Sequence, residues 1–101
     1  MTDKDIRLTA QTGAVLEALL VQPNLSGADL ARATKLKSGS LYPILLRLEA
    51  AGWLRSEWEA GDPAALGRPR RRFYEVTGLG ATKLRAKARE QASLFGRLAW
   101  D

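Results

Sequence analysis

The hydrophobic period of the chain changes at Gly52, and this change limits the possible architecture more than any other feature. Before it, Leu41, Ile44, Leu45 and Leu48 fall at i, i+3, i+4 and i+7, which turns one face of a helix toward a core. After it, residues 53–59 (WLRSEWE) and 71–77 (RRFYEVT) are rich in aromatic and β-branched side chains and nearly alternate in polarity, the pattern of strands. Gly52 supplies the left-handed conformation that ends the helix. Helices precede the break and a β-hairpin follows it.

Upstream, residues 10–22 (AQTGAVLEALLVQ) are good helix formers, with Val15, Leu16, Leu19 and Leu20 as the apolar stripe and Pro23-Asn24 as the stop. Ser26-Gly-Ala-Asp29 has the capping-box form and opens a short second helix that runs to about Thr34. Lys35 to Lys37 make a tight connection to the third helix, at about residues 38–51. Two starts are open for it. With Ser40 as N-cap, Pro43 is the third helical residue and loses no hydrogen bond; with a start at Ser38, an irregularity near Pro43 is expected.

Downstream, Ala60 to Arg70 holds two glycines and two prolines and cannot continue a strand, so the hairpin spans about residues 53–76 with a long, exposed tip. Thr77 can cap a final helix through about Leu98. On that helix Leu84, Ala88, Gln91, Phe95 and Leu98 recur at spacings of four, three, four and three. Some 22 helical residues reach roughly 33 Å, longer than so small a domain covers with its own core. Two segments result, residues 1–76 and residues 77–101.

At 101 residues one core is the ceiling, and 46% hydrophobic with 27% charged residues is the balance of a folded domain. Lysine and arginine number 16 against 11 acidic residues, a net +5 that favours polyanions. Cysteine and histidine are absent, so disulfides, thiolate chemistry, the usual general base and the commonest metal ligand are all missing. The carboxylates Glu57, Glu59 and Asp62 have no such partner, and an enzyme is not expected; no cofactor is implied. No run approaches the roughly 18 apolar residues of a membrane span, and the start is charged, so the expected location is the cytoplasm.

Three helices followed by a hairpin is the plan of the winged helix: mainly α, with the second and third helices as a helix-turn-helix and the hairpin as the wing. That geometry puts the third helix in the DNA major groove. Lys35, Lys37, Ser38 and Ser40 gather at its start, where free amides and the helix dipole attract phosphate. Ser40, Tyr42 and Arg47 are the candidates for reading bases. Other roles are open to each: Ser38 and Ser40 as plain caps, Tyr42 as a ring at the core edge, Arg47 as a solvated residue. In the wing, Gly67-Arg-Pro-Arg-Arg-Arg72 places Arg68, Arg70 and Arg71 on a tip suited to the minor groove, with Arg72 inside the strand. The alternative is a basic turn whose arginines pair with Glu57, Glu59 or Asp62.

Residues 38–54 (SGSLYPILLRLEAAGWL) and 67–80 (GRPRRRFYEVTGLG) together resemble the PadR-like transcriptional regulators. The similarity carries a GSLYPxLxRLExxGW segment, a basic wing, then YxxT with a glycine three residues on, and it extends from about residue 9 to 85. The resemblance implies a winged-helix dimer that binds a palindromic operator in double-stranded DNA, usually as a repressor, often released by a small aromatic or cationic molecule. It also implies that the C-terminal helix supplies most of the dimer contacts, which assigns Leu84, Ala88, Phe95 and Leu98 to the partner copy. Members often carry His-Gly-Tyr before the second helix; here Ser26-Gly27-Ala28 stands instead. Trp100 lies near the place where some members hold flat aromatic ligands, and is a candidate effector contact or else a residue of the dimer core or chain end. Trp53 and Trp58 read as packing residues. A winged helix serving only as a protein-interaction module is the competing reading, and it predicts no salt-sensitive DNA affinity.

Overall fold

A computed structural model describes residues 6–100, with side chains described as far as residue 92. The chain runs α1 (Ala10–Val21), β1 (Leu25–Ser26), α2 (Gly27–Thr34), α3 (Ser38–Ala50), β2 (Leu54–Trp58), α4 (Pro63–Leu66), β3 (Arg72–Val76) and α5 (Gly78–Trp100). The fold is mainly helical with one small antiparallel sheet, the winged-helix plan read from the order of elements.

Each helix start has a local cause. The Thr9 hydroxyl accepts from the Thr12 amide (3.1 Å) and opens α1. At α2 the expected reciprocal cap is present: the Asp29 amide donates to Ser26 Oγ (3.1 Å) and the Ser26 amide to Asp29 Oδ2 (3.2 Å). Lys35 then turns left-handed (φ 61°), which folds the connection back toward α3. Helix α3 begins at Ser38 behind Lys37, with no side-chain cap, so Ser40 is not its N-cap. Pro43 is consequently well inside the helix and cannot donate to the Gly39 carbonyl. Both residues are exposed, so water can serve that carbonyl.

The end of α3 is a Schellman turn. Gly52 adopts φ 83°, its amide donates to the Glu49 carbonyl (3.0 Å), and the Trp53 amide donates to the Leu48 carbonyl (2.9 Å). The turn feeds β2 directly, as the change of period at Gly52 requires.

The core joins Val15, Leu16 and Leu19 of α1, Leu30 of α2, Leu41, Ile44, Leu45 and Leu48 of α3, and Leu25, Trp53, Leu54 and Tyr74 around the sheet. Removing the side chain of a fully buried leucine such as Leu48 would cost about 2–5 kcal/mol. Leu20, expected in the stripe of α1, is instead 51% exposed, and Thr12 is buried in its stead. By helical spacing Thr12 falls between Val15, Leu16 and Leu19 on the buried face, whereas Leu20 falls at its edge.

Two features of the sheet depart from expectation. It has three strands, in the order β1-β3-β2, because Leu25 and Ser26 pair with Tyr74 and Phe73. The wing tip is not wholly extended: Asp62 accepts from the Ala64 amide (3.3 Å) and opens the single turn α4, which Gly67 closes in a left-handed conformation (φ 71°). Pro63 sits at the start of that turn, where a proline has no hydrogen bond to lose.

Candidate nucleic-acid interface

Burying Leu41, Ile44, Leu45 and Leu48 commits the opposite side of α3 to solvent. Exposed there are Ser38, Gly39, Ser40, Tyr42, Pro43, Leu46 and Arg47, preceded by exposed Lys35 and Lys37. By helical spacing Gly39, Pro43 and Leu46 occupy the middle of this face, with Tyr42 on one flank and Ser40 and Arg47 on the other. Its centre is thus apolar, and Leu46 is 70% exposed. Sequence reasoning singled out the polar flanks and missed this centre. The signal was available, as the complement of the buried stripe.

Tyr42 leans across to α2. A Cβ placed on Gly27 would lie 2.3 Å from the Tyr42 hydroxyl, so the absence of a side chain at Gly27 makes room for the phenol. Tyr42 remains half-exposed. Beneath it a cleft of about 330 Å³ separates the start of α2 from the wing, lined by Ser26, Gly27, Tyr42, Trp58, Arg70 and Arg71 among others. The Tyr74 hydroxyl is pushed up in pKa, chiefly by burial.

The wing is fixed to α3 at its root. Arg72 lies on β3 beside Trp58, its guanidinium 5.1 Å from the indole centroid, and donates to Ser56 Oγ (2.7 Å). Ser56 donates to Glu49 Oε2 (2.6 Å), which also faces Arg72 at 3.5 Å. Glu49 on α3 thereby fastens both strands of the hairpin.

Farther out, the Glu59 carboxylate receives Arg68 Nη1 (2.7 Å) on Oε1 and Nη2 (2.9 Å) on Oε2. The Arg71 amide adds a third bond at 3.1 Å to Oε1. These donors hold the Glu59 carboxyl down at about 2, the Arg68 hydrogen bond first and the Arg71 amide next. Arg68 is therefore engaged within the wing, one of the pairings open to it from sequence. Arg70 and Arg71 have exposed side chains, and neither forms an ion pair among the described residues. The basic turn connecting α2 to α3, the outer face of α3 and the wing tip offer cations flanking an apolar centre.

On α5, the Thr77 hydroxyl accepts from the Gly80 amide (3.0 Å), the expected cap. The same hydroxyl donates to the Gly52 carbonyl (2.6 Å), and the Thr77 amide donates to the Trp53 carbonyl (2.9 Å). Leu84 rests half-buried on the core, whereas Ala88 and Gln91 are exposed. The side chains of Phe95, Leu98 and Trp100 lie outside the described residues. Among the described residues no cluster of three or more acidic, histidine or cysteine side chains could hold a metal, and no helix is long and apolar enough to cross a membrane.

Comparison with known proteins gives this surface a context. The structure is similar to a PadR-like transcription factor from Bacteroides fragilis, at 24% identity and TM-score 0.71, covering 88% of this chain and 90% of that one. A PadR family transcriptional regulator from Eggerthella lenta DSM 2243 matches at 25% identity and TM-score 0.69, over 88% of this chain and 81% of that one. BpsR of Bordetella bronchiseptica, whose DNA binding is regulated by 6-hydroxynicotinic acid, matches at 21% identity and TM-score 0.69, over 92% of this chain and 68% of its own. The chain spans 50% of AbfR of Staphylococcus epidermidis and 62% of MarR, which share the fold. No curated protein sequence matches it. A model of the transcriptional regulator PadR-like family matches residues 28–86, which cover α2 from its second residue, α3, the whole wing and the start of α5, and the chain belongs to that family.

Proposed function

We propose that this chain is a sequence-specific DNA-binding regulator that acts as a dimeric repressor on a palindromic operator. The observation that carries the reading is the solvent-facing side of α3, with exposed Lys35 and Lys37 just before its start and the exposed wing arginines Arg70 and Arg71 on the cleft that Tyr42 also lines. In this arrangement Lys35, Lys37, Ser38 and the exposed wing arginines Arg70 and Arg71 serve phosphates or the minor groove, while Arg68 is held by Glu59 inside the wing. Ser40, Tyr42 and Arg47 face the major-groove edges, and Leu46 suits a thymine methyl. Residues 1–76 form the DNA-binding unit. Helix α5, within residues 77–101, joins two copies through Leu84, Ala88, Phe95 and Leu98 and brings two recognition helices to one face of the duplex.

A small aromatic or cationic effector that releases the DNA is part of the proposal, with Trp100 as its candidate contact. The regulation of BpsR by 6-hydroxynicotinic acid is a precedent on the same fold. The protein acts as a non-enzyme in the cytoplasm.

Fluorescence anisotropy with DNA from upstream of the protein's own gene, and with a scrambled control, tests this at two salt concentrations. Preference for the upstream DNA and a steep loss of affinity with salt are expected. Equal, feeble binding to both would overturn the reading and favour the protein-interaction module. A monomeric mass at micromolar concentration by sedimentation would remove the dimer.

A further inference from the structure

We infer that Glu59 and Arg68 form an internal clasp that closes the wing tip, so that Arg68 strengthens DNA binding by positioning Arg70 and Arg71 rather than by touching DNA. The inference rests on the DNA-binding reading above and refines which wing residues make contact.

The geometry is specific. β2 and β3 remain in register to Trp58 and Arg72, and one further bond, from the Glu59 amide to the Arg71 carbonyl (2.7 Å), extends the ladder. Beyond it the chain leaves the sheet, makes the single turn of α4 and reverses at Gly67, where the Gly67 amide donates to the Pro63 carbonyl (3.0 Å). Residue 68 is thereby returned to the mouth of the loop. There its guanidinium meets Glu59 through two hydrogen bonds, and the Arg71 amide joins them on the same carboxylate. Glu59 thus ties together both strands at the base of the loop and the returning segment.

The two partners are also the least exposed charged side chains of the tip, 18% for Glu59 and 35% for Arg68. A bidentate pair with a third donor is the geometry in which an ion pair near the surface gains directionality. Arg70 and Arg71 follow directly after Pro69, whose fixed φ limits the directions the chain can take from the clasp. Holding two arginines in a fixed direction before DNA arrives reduces the conformational entropy lost on binding.

The clasp and simple electrostatics give opposite signs for the loss of Glu59. Removing a carboxylate close to the phosphates raises the net positive charge and, by charge alone, tightens binding. Removing the clasp loosens the tip and weakens it.

The test is a double-mutant cycle of Glu59→Ala and Arg68→Ala, with Arg70→Ala and Arg71→Ala alongside, read by DNA affinity at several salt concentrations and with melting curves to verify folding. Each clasp variant is expected to bind about 3- to 10-fold more weakly than the unaltered protein, and the double variant no more weakly than either single one, because the two residues act as one unit. In the Glu59→Ala background, Arg68→Ala should leave the salt slope unchanged, whereas loss of a direct phosphate contact lowers that slope by about 1. Tighter binding by Glu59→Ala, or an additive cycle, overturns the clasp. Unchanged affinity in Arg70→Ala and in Arg71→Ala takes both residues that the clasp positions out of the DNA interface and overturns the clasp, while the comparison of upstream with scrambled DNA tests the DNA-binding reading separately. Glu59→Gln, which keeps an acceptor for the Arg71 amide, should fall between the unaltered protein and Glu59→Ala.

Discussion

Gly78 and Gly80 stand two residues apart in the first turn of α5, and replacing each by alanine should give opposite results. A Cβ on Gly80 would lie 2.2 Å from the Trp53 carbonyl oxygen, 2.9 Å from its carbon and 3.0 Å from its Cα. These are backbone atoms and cannot rotate away. Clearing the oxygen alone means moving the start of α5 by roughly 0.8 Å, against a turn held by the two Thr77 bonds to Gly52 and Trp53. Overpacking of this kind costs about 1–3 kcal/mol, and a weakened buried hydrogen bond adds about 1. Alanine returns up to about 1 kcal/mol of helix propensity. The net loss is about 2 kcal/mol, and for a domain of this size it lowers Tm by about 8–16 °C.

A Cβ on Gly78 meets nothing within 4 Å, so Gly78→Ala should melt at or slightly above the parent. Melting curves followed by circular dichroism, all at one protein concentration because dimerisation shifts Tm, compare the three proteins. If Gly80→Ala melts within about 2 °C of Gly78→Ala, the close approach of α5 to Trp53 is not a constraint on this fold, and the reasoning fails.

Other consequences can be checked independently. Gly27→Ala should displace the Tyr42 phenol, whose hydroxyl lies 2.3 Å from the new Cβ position, at a cost to stability below about 1 kcal/mol because the ring is half-exposed. DNA affinity should fall in Gly27→Ala about as far as in Tyr42→Phe, and full affinity in both would take the Tyr42 hydroxyl out of the interface. The Glu59 carboxyl, held at about 2 against an ordinary 4.5, contributes stability that is fully present above pH 4.5 and is lost as pH falls toward 2. Carbon-detected NMR should therefore show its titration midpoint well below those of exposed glutamates, and a midpoint at 4 or higher would contradict the clasp geometry.

The elements that carry a repeating local signal were legible in the sequence. The capping box at Ser26 and Asp29, the stop at Gly52 and the cap at Thr77 each follow from residues within a few positions of one another. Strand β1 was not legible, because two residues carry no period and their pairing partner, β3, is nearly fifty positions away. The sequence allows α3 to start at either Ser38 or Ser40, since the backbone there is fixed by the left-handed turn at Lys35 and by burial of Leu41 rather than by a capping side chain. In the candidate site, the basic clusters were visible as composition, but their division of labour was not. That Glu59 engages Arg68 while Arg70 and Arg71 stay exposed depends on how α4 and Gly67 fold the tip.

The junction of α3, β2 and α5 has a mechanical consequence. Gly52 and Trp53 end one helix, begin the wing and receive the root of α5 within two residues. The 23 residues of α5 extend about 34 Å from that point, so the junction is the fulcrum of a long arm. A change of about 0.2 radian in the direction of the arm moves its far end by roughly 7 Å while altering little at the root. In the proposed dimer two such arms meet, and small angles at Thr77 and Gly80 would set the span between recognition helices, a span that DNA restricts to about one helical turn of the duplex.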